Sequence, residues 1–153
     1  MTGDGTASAP GHAPPQGGRG LALLAPTAAT TVVYTPSLLF QPTLWENVPG
    51  YVSLVWLAVL ISAAPVTAAL VNRRRPVAVT HPRSWLLGLP QLPLVLGLAW
   101  FDIWLDVRSG YLLPGYEVEV ALGFGTIMAA GFGLLLTVLV NAASVIGAAR
   151  HTS

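Results

Sequence analysis

The feature that most limits how this chain folds is an apolar stretch at residues 120–149, thirty residues without a charged side chain. An α-helix rises 1.5 Å per residue, and about 20 apolar residues cross the hydrocarbon core of a bilayer. Thirty helical residues span about 45 Å, so this helix has to tilt or to emerge from the bilayer at one end. Residues 51–71 form a second uncharged stretch, interrupted only by Pro65. We therefore expect a protein that folds in lipid.

Two weaker apolar blocks complete the pattern. Residues 85–105 are long enough to span but contain Pro90, Gln91, Pro93 and Asp102. Residues 21–44 are the weakest block because three prolines and five threonines interrupt them. Neighbouring helices can satisfy the carbonyls that a proline frees within a membrane. The sequence thus predicts an all-α bundle of four transmembrane helices, or three if residues 21–44 stay at the interface.

The composition agrees with a membrane protein. Apolar residues make up 54% of the chain and charged residues only 8%, against about 25% charged in a typical soluble domain. This excludes a soluble enzyme and a disordered chain, and seven cations are too few for a nucleic-acid binder. The chain has no cysteine, which excludes disulfides and thiolate metal sites, and we predict no cofactor and no bound metal. All seven cations are arginines, which together with abundant Ala, Gly and Pro suggests a GC-rich bacterial genome.

The ends of the chain differ from its apolar middle. Residues 1–20 are rich in Gly and Pro and cannot bury enough surface to offset their ordering entropy. We divide the chain into a disordered cytoplasmic tail at 1–20, a transmembrane helical domain at 21–149 and a cytoplasmic C-terminus at 150–153. An alternative remains open, because Arg19 followed by the apolar run LALLA also resembles the start of a cleavable signal peptide.

The distribution of charge predicts the topology. With four spans, one side of the membrane holds six of the seven arginines, namely Arg19, Arg73, Arg74, Arg75, Arg83 and Arg150. The other side holds Arg108 and five of the six acids. Because positively charged loops stay in the cytoplasm, we expect a multi-pass protein of the bacterial cell membrane with both termini cytoplasmic. A three-span arrangement moves only Arg19 to the outside and is therefore disfavoured rather than excluded.

The last apolar block carries small or polar residues at every fourth position, which places them on one helix face. Such a face lets two helix backbones approach closely, and its Thr and Asn can add hydrogen bonds between helices. We predict a helix-packing face made of Gly125, Ala129, Gly133, Thr137 and Asn141.

The segment 88–93, with the sequence GLPQLP, predicts an irregular helix. Pro90 and Pro93 each remove a backbone donor and clash with the preceding turn, so we expect a kink or unwinding there. Broken helices at membrane depth form binding sites in transporters, where Gln91 would present its amide to a cavity. The simpler interpretation, which we favour, is a structural kink filled by a neighbouring helix.

A group of carboxylates is the sharpest candidate site. Asp102 and Asp106 lie one turn apart on one helix face, and Glu117 and Glu119 open the next helix, with Arg108 between the two pairs. Four carboxylates on one rim could bind a hard divalent cation or relay protons. Alternatively, these acids are ordinary solvated residues, and the two glutamates simply favour a helix N-terminus.

The stretch 100–119, WFDIWLDVRSGYLLPGYEVE, resembles the small integral lycopene cyclase subunits. Those are short proteins of several spans with an Asp before a Gly-aromatic loop and acidic residues opening the next helix. Their pattern continues as Pro-x-Glu-Glu and paired Phe, whereas this chain has Glu117, Val118 and Glu119 and no Phe pair. Because the departure falls on the catalytic acids, we do not assign the chain to that family.

Two classes of function follow. The first is a non-catalytic structural or accessory subunit, embedded in the bilayer and packing on other membrane subunits or on a second copy of itself. It is favoured because no Ser/His/Asp set, metal-spaced His pair or thiol is present. The alternative is a small transporter or membrane enzyme that uses the carboxylates at the outer membrane interface.

Overall fold

The protein is all-helical in the part of the chain that its computed structural model describes, residues 17–39, 50–74 and 86–150. These residues form α1 (Gly17–Leu39), α2 (Gly50–Arg74), α3 (Gln91–Ser109) and α4 (Tyr116–Ala149). Helices α1, α2 and α4 are long and apolar enough to cross a membrane. Helix α3 does not meet that standard, since its 19 residues include two aspartates and an arginine. The weakest candidate span is therefore α3, and not the first block as the sequence pattern predicted.

Helix α4 is the centre of the bundle, with its most extensive contacts to α2 and α3. Its C-terminal half packs on α2, where Ala64 and Ala68 meet Val140. Its N-terminal half packs on α3, where Val95 meets Ala129 and Leu136. Helix α1 packs on α2, and its contact with α3 is smaller than the α1–α2, α2–α4 and α3–α4 contacts.

Charged residues occupy opposite ends of this bundle. A Cβ on Gly147 would lie 2.5 Å from the carbonyl oxygen of Ala69, so the C-terminal ends of α2 and α4 lie together. Arg73, Arg74 and Arg150 follow those two residues at what we call the arginine end. The α3–α4 turn forms the opposite end, the acid end, with the residues Asp106, Arg108, Glu117 and Glu119.

Helix α3 begins later than the sequence pattern predicted, at Gln91 rather than near residue 85. A short turn occupies residues 86–90, and Pro90 precedes the first helical residue with φ −61°. Proline fits the first turn of a helix because the backbone donor it lacks has no helical acceptor there. Pro90 and Pro93 therefore start the helix instead of kinking it. Its other end is set by Gly110, whose φ of +80° favours glycine.

Helix α1 contains Pro26 and Pro36 and nevertheless continues over 23 residues. Its threonine hydroxyls donate to carbonyl oxygens one turn earlier, as Thr31 does to Thr27 at 2.9 Å and Thr35 does to Thr31 at 2.7 Å. These internal hydrogen bonds keep the hydroxyls satisfied without water. A helix rich in Thr and Pro is thereby compatible with lipid.

The bundle leaves most of its apolar surface facing outward. Only 17% of the most apolar window of α1 is buried, 11% of that of α2 and 28% of that of α4. Soluble proteins rarely expose continuous apolar surfaces of this extent. The architecture is thus that of a multi-pass membrane protein.

Several predicted features lie outside the described residues. They are residues 1–16 of the tail, Arg75 and Arg83 between α2 and α3, and residues 151–153 at the C-terminus. Residues 17–20, which we predicted to be the end of the tail, instead form the first turn of α1. The helix thus begins in the glycines that precede the apolar run.

Candidate functional site

The five residues predicted as the packing face of α4 lie against α3. A Cβ on Gly133 would come within 3.0 Å of the Cα atom of Leu92, and one on Gly125 within 3.1 Å of the Cδ1 atom of Ile103. Ala129 belongs to the apolar cluster between the two helices. The face therefore joins two helices of the same chain.

The polar end of this face holds the turn that precedes α3. The Oγ1 atom of Thr137 lies 3.0 Å from the carbonyl oxygen of Gly88, and the N–H of Gly88 donates to Oδ1 of Asn141 at 2.9 Å. The side chain of Asn141 thus supplies the acceptor that the Gly88 N–H lacks in this irregular backbone, while the Gly88 carbonyl oxygen also accepts the N–H of Gln91 at 3.0 Å. A Cβ on Gly88 would collide with the backbone carbonyl of Thr137, so the two backbones are in direct contact.

Gln91 is the most buried polar residue of the described chain, with 0% of its surface exposed. Its Oε1 atom lies 2.7 Å from Oγ1 of Thr30 on α1, while its Nε2 atom has no hydrogen-bond partner within the described chain. An unmade hydrogen bond on a buried polar group costs about 1–3 kcal/mol. The amide oxygen therefore lies at the interface between α1 and α3.

A second polar pair lies further along the same interface. Asp102 is half-buried and follows Gln91 by eleven residues, close to three helical turns, so both lie on one face of α3. On α1, Tyr34 follows Thr30 by one turn and lies within electrostatic range of Asp102. We call these four residues, Thr30, Tyr34, Gln91 and Asp102, the α1–α3 seam.

The residues of the predicted carboxylate rim lie along the last two turns of α3 and the first turn of α4. The Oε2 atom of Glu117 accepts the N–H of Leu113 at 2.9 Å, and Glu119 lies beside it in the first turn of α4. The guanidinium of Arg108 lies 5.3 Å from the centre of the Trp104 ring. Asp106 is half-buried, one turn beyond Asp102. The described residues contain no group of three or more His, Asp or Glu side chains that could hold a metal ion.

Three buried polar residues were not singled out from the sequence, namely Thr30, Asn72 and Ser144. The amide of Asn72 donates to the carbonyl oxygen of Ala68 at 2.9 Å, and Ser144 donates to that of Val140 at 2.8 Å. A signal for them existed, because each lies four residues after a buried residue of its own helix. The four-residue spacing within one helix nevertheless does not show which of its faces meets a neighbouring helix.

The comparisons with known proteins add no family to this description. No protein-family model, curated protein or solved structure matches the chain. The function is therefore argued from the contacts and charges of the residues themselves.

Proposed function

We propose that this chain is a non-catalytic accessory or structural subunit of a bacterial cytoplasmic membrane. In this proposal α3 is a fourth crossing and both termini lie in the cytoplasm. Other membrane subunits, or a second copy of the chain, cover part of its apolar surface. The arginine end supports the orientation, since Arg73, Arg74 and Arg150 lie together and apart from the acids.

The observation that carries this proposal is the exposed α1–α2 pair. The packing face of α4 is occupied by α3, so a partner has to use another surface. Helices α1 and α2 bury the smallest shares of their apolar windows, 17% and 11%. Between them lies an open groove of about 490 Å³ whose floor includes small residues such as Ala28, Ala29 and Ala63. Small residues allow a further helix to approach closely.

Site-specific photo-crosslinking in membranes tests the accessory role. A photoreactive residue at Val66, which is 53% exposed in the groove, should form adducts with protein. The matched control is Val138, which is 64% exposed on α4 and should form mainly lipid adducts. Adducts with a second copy or with another subunit both support the proposal. Lipid adducts alone at Val66 would contradict it.

A transporter or membrane enzyme that uses the acids is the second candidate, and the position of Asp102 favours it. This carboxylate is half-buried in the α1–α3 seam instead of projecting freely from the acid end. A polar residue within a membrane segment often marks a pathway for ions or substrates.

Replacing Asp102 by Asn separates the two candidates, because it keeps the shape of the side chain and removes its charge. We expect Asp102→Asn to fold, to insert and to retain its crosslinks from Val66 as the wild type does. Glu119→Gln, at the exposed first turn of α4, is the control for loss of an acid. Proton or cation uptake by proteoliposomes of the wild type that disappears only in Asp102→Asn would reject the accessory role in favour of transport.

A further inference from the structure

The α1–α3 seam contains a fully buried amide with an unpartnered atom, in the smallest of the four main helix–helix interfaces. We propose that this seam holds bound water, which enters at the acid end beside Asp102 and reaches the amide of Gln91. The seam is then a hydrated cleft that is closed toward the arginine end. This inference does not depend on the accessory role, because it concerns the interior of a single chain.

The hydrogen bonds of Gln91 and Thr30 cannot be completed by protein atoms alone. The hydroxyl of Thr30 has one proton but lies within hydrogen-bond distance of two acceptors, Oε1 of Gln91 at 2.7 Å and the carbonyl oxygen of Pro26 at 3.2 Å. If the amide is turned over, Thr30 donates to Pro26 and accepts from Nε2, and Oε1 loses its partner instead. In either orientation one polar atom of the amide stays without a protein partner. Water is the ligand that satisfies such an atom most simply, since it both donates and accepts.

The arrangement of the seam provides a path for that water. Gln91 and Asp102 share one face of α3, about 16 Å apart along the helix axis at 1.5 Å per residue. Tyr34 lies one turn after Thr30 on α1, about 6 Å further along that helix axis. A buried water needs two to four polar partners, and the seam offers a hydroxyl, an amide, a phenol and a carboxylate.

The opposite direction is closed by buried residues of α1. Pro26 and Ala22, one and two turns before Thr30 on the same face of α1, are both buried, whereas Tyr34 and Asp102 are only half-buried. The cleft therefore opens toward the acid end.

Cysteine accessibility tests this proposal directly, since the natural chain has no cysteine. In the purified protein, Thr30→Cys should react with a water-soluble thiosulfonate at least about tenfold faster than Ala64→Cys. Both positions are almost fully buried, but Ala64 lies in the apolar α2–α4 core and reacts only through local opening. Adding Asp102→Leu to Thr30→Cys should slow the reaction. Equal rates for the two cysteines, or no effect of Asp102→Leu, would overturn the proposal.

A measurement on the unmodified chain decides the matter if Thr30→Cys fails to fold. In protein carrying ¹⁵N-labelled glutamine, the side-chain amide of Gln91 should show magnetisation transfer to water. Its resonance is identified by its loss in Gln91→Leu. A resolved Gln91 amide without any transfer to water would overturn the proposal.

Discussion

Among the described glycines, Gly88 is the one where an added Cβ would come closest to another atom. Any side chain there would meet the backbone carbonyl of Thr137, and a helix backbone cannot move aside as a flexible side chain can. The Gly88 N–H donates to Oδ1 of Asn141, and the Gly88 carbonyl oxygen lies within hydrogen-bond distance of the Thr137 hydroxyl, so the peptide groups on both sides of Gly88 are held by α4. Gly88 therefore leaves no room for a side chain, and its N–H has its hydrogen-bond partner on α4.

We expect Gly88→Ala to lower the stability of the folded protein by about 1–3 kcal/mol, as overpacking does in a close-packed interior. Gly97→Ala is the matched control, since Gly97 lies within α3 with open space around it. The control should be neutral or stabilising by about 0.5–1 kcal/mol, because alanine favours the helix. Thermal unfolding in mild detergent measures both variants. An unchanged melting temperature for Gly88→Ala would show that the turn before α3 does not touch α4.

At the scale of elements, α3 and α4 form an antiparallel hairpin whose apolar contact includes Val95, Leu136 and Phe132. Gly133 allows α4 to approach Leu92, and the indole N–H of Trp100 donates to the hydroxyl of Thr126 at 3.0 Å. The turn is closed at Gly110, where the N–H of Tyr111 donates to the carbonyl oxygen of Asp106 at 2.9 Å. Helix α3, which is too polar to be an obvious span, is thereby positioned by its partner.

Gly133→Leu should separate α3 from α4. The new side chain would have to displace Leu92, at a cost of about 1–3 kcal/mol. Gly131→Leu is the control two residues away on α4, where nothing lies within 4 Å of the added Cβ. Unfolding in detergent should show a loss of stability for Gly133→Leu only. Equal effects of the two substitutions would mean that the face of Gly133 points at lipid.

At the scale of the whole molecule, the separation of charge predicts how the bundle would be oriented in a membrane. The arginine end and the acid end of the described chain lie at opposite ends of the same helices. Exposed apolar side chains cover the surface between them. Turning the molecule over would place the arginines on the outer side, against the rule that orients membrane proteins.

Single-cysteine labelling in intact cells tests this orientation. A cysteine in place of Ser109, at the end of α3, should react with an impermeant reagent added from outside. A cysteine in place of Ser8, in the tail, should react only after the membrane is opened. If the cysteine at position 109 reacts only after the membrane is opened, then α3 does not cross the membrane or the bundle is inverted.

The sequence alone predicted the apolar, all-helical architecture of this protein and the separation of its arginines from its acids. Long uncharged runs can satisfy their backbone in lipid only as helices, so residues 51–71 and 120–149 predicted α2 and α4 without any knowledge of their neighbours. The four-residue spacing of Gly125, Ala129 and Gly133 likewise marked one face of α4.

Only the tertiary structure shows which neighbouring helix each of those faces contacts. Helical periodicity shows that residues share a face but carries no information about which helix meets it, and here the partner of α4 is α3 within the same chain. The turn before α3 is held against α4 through Gly88, which is hydrogen-bonded to Thr137 and Asn141. The α1–α3 seam joins Thr30 and Gln91, sixty-one residues apart in the chain. Such a contact is set by the packing of whole helices and by no local pattern.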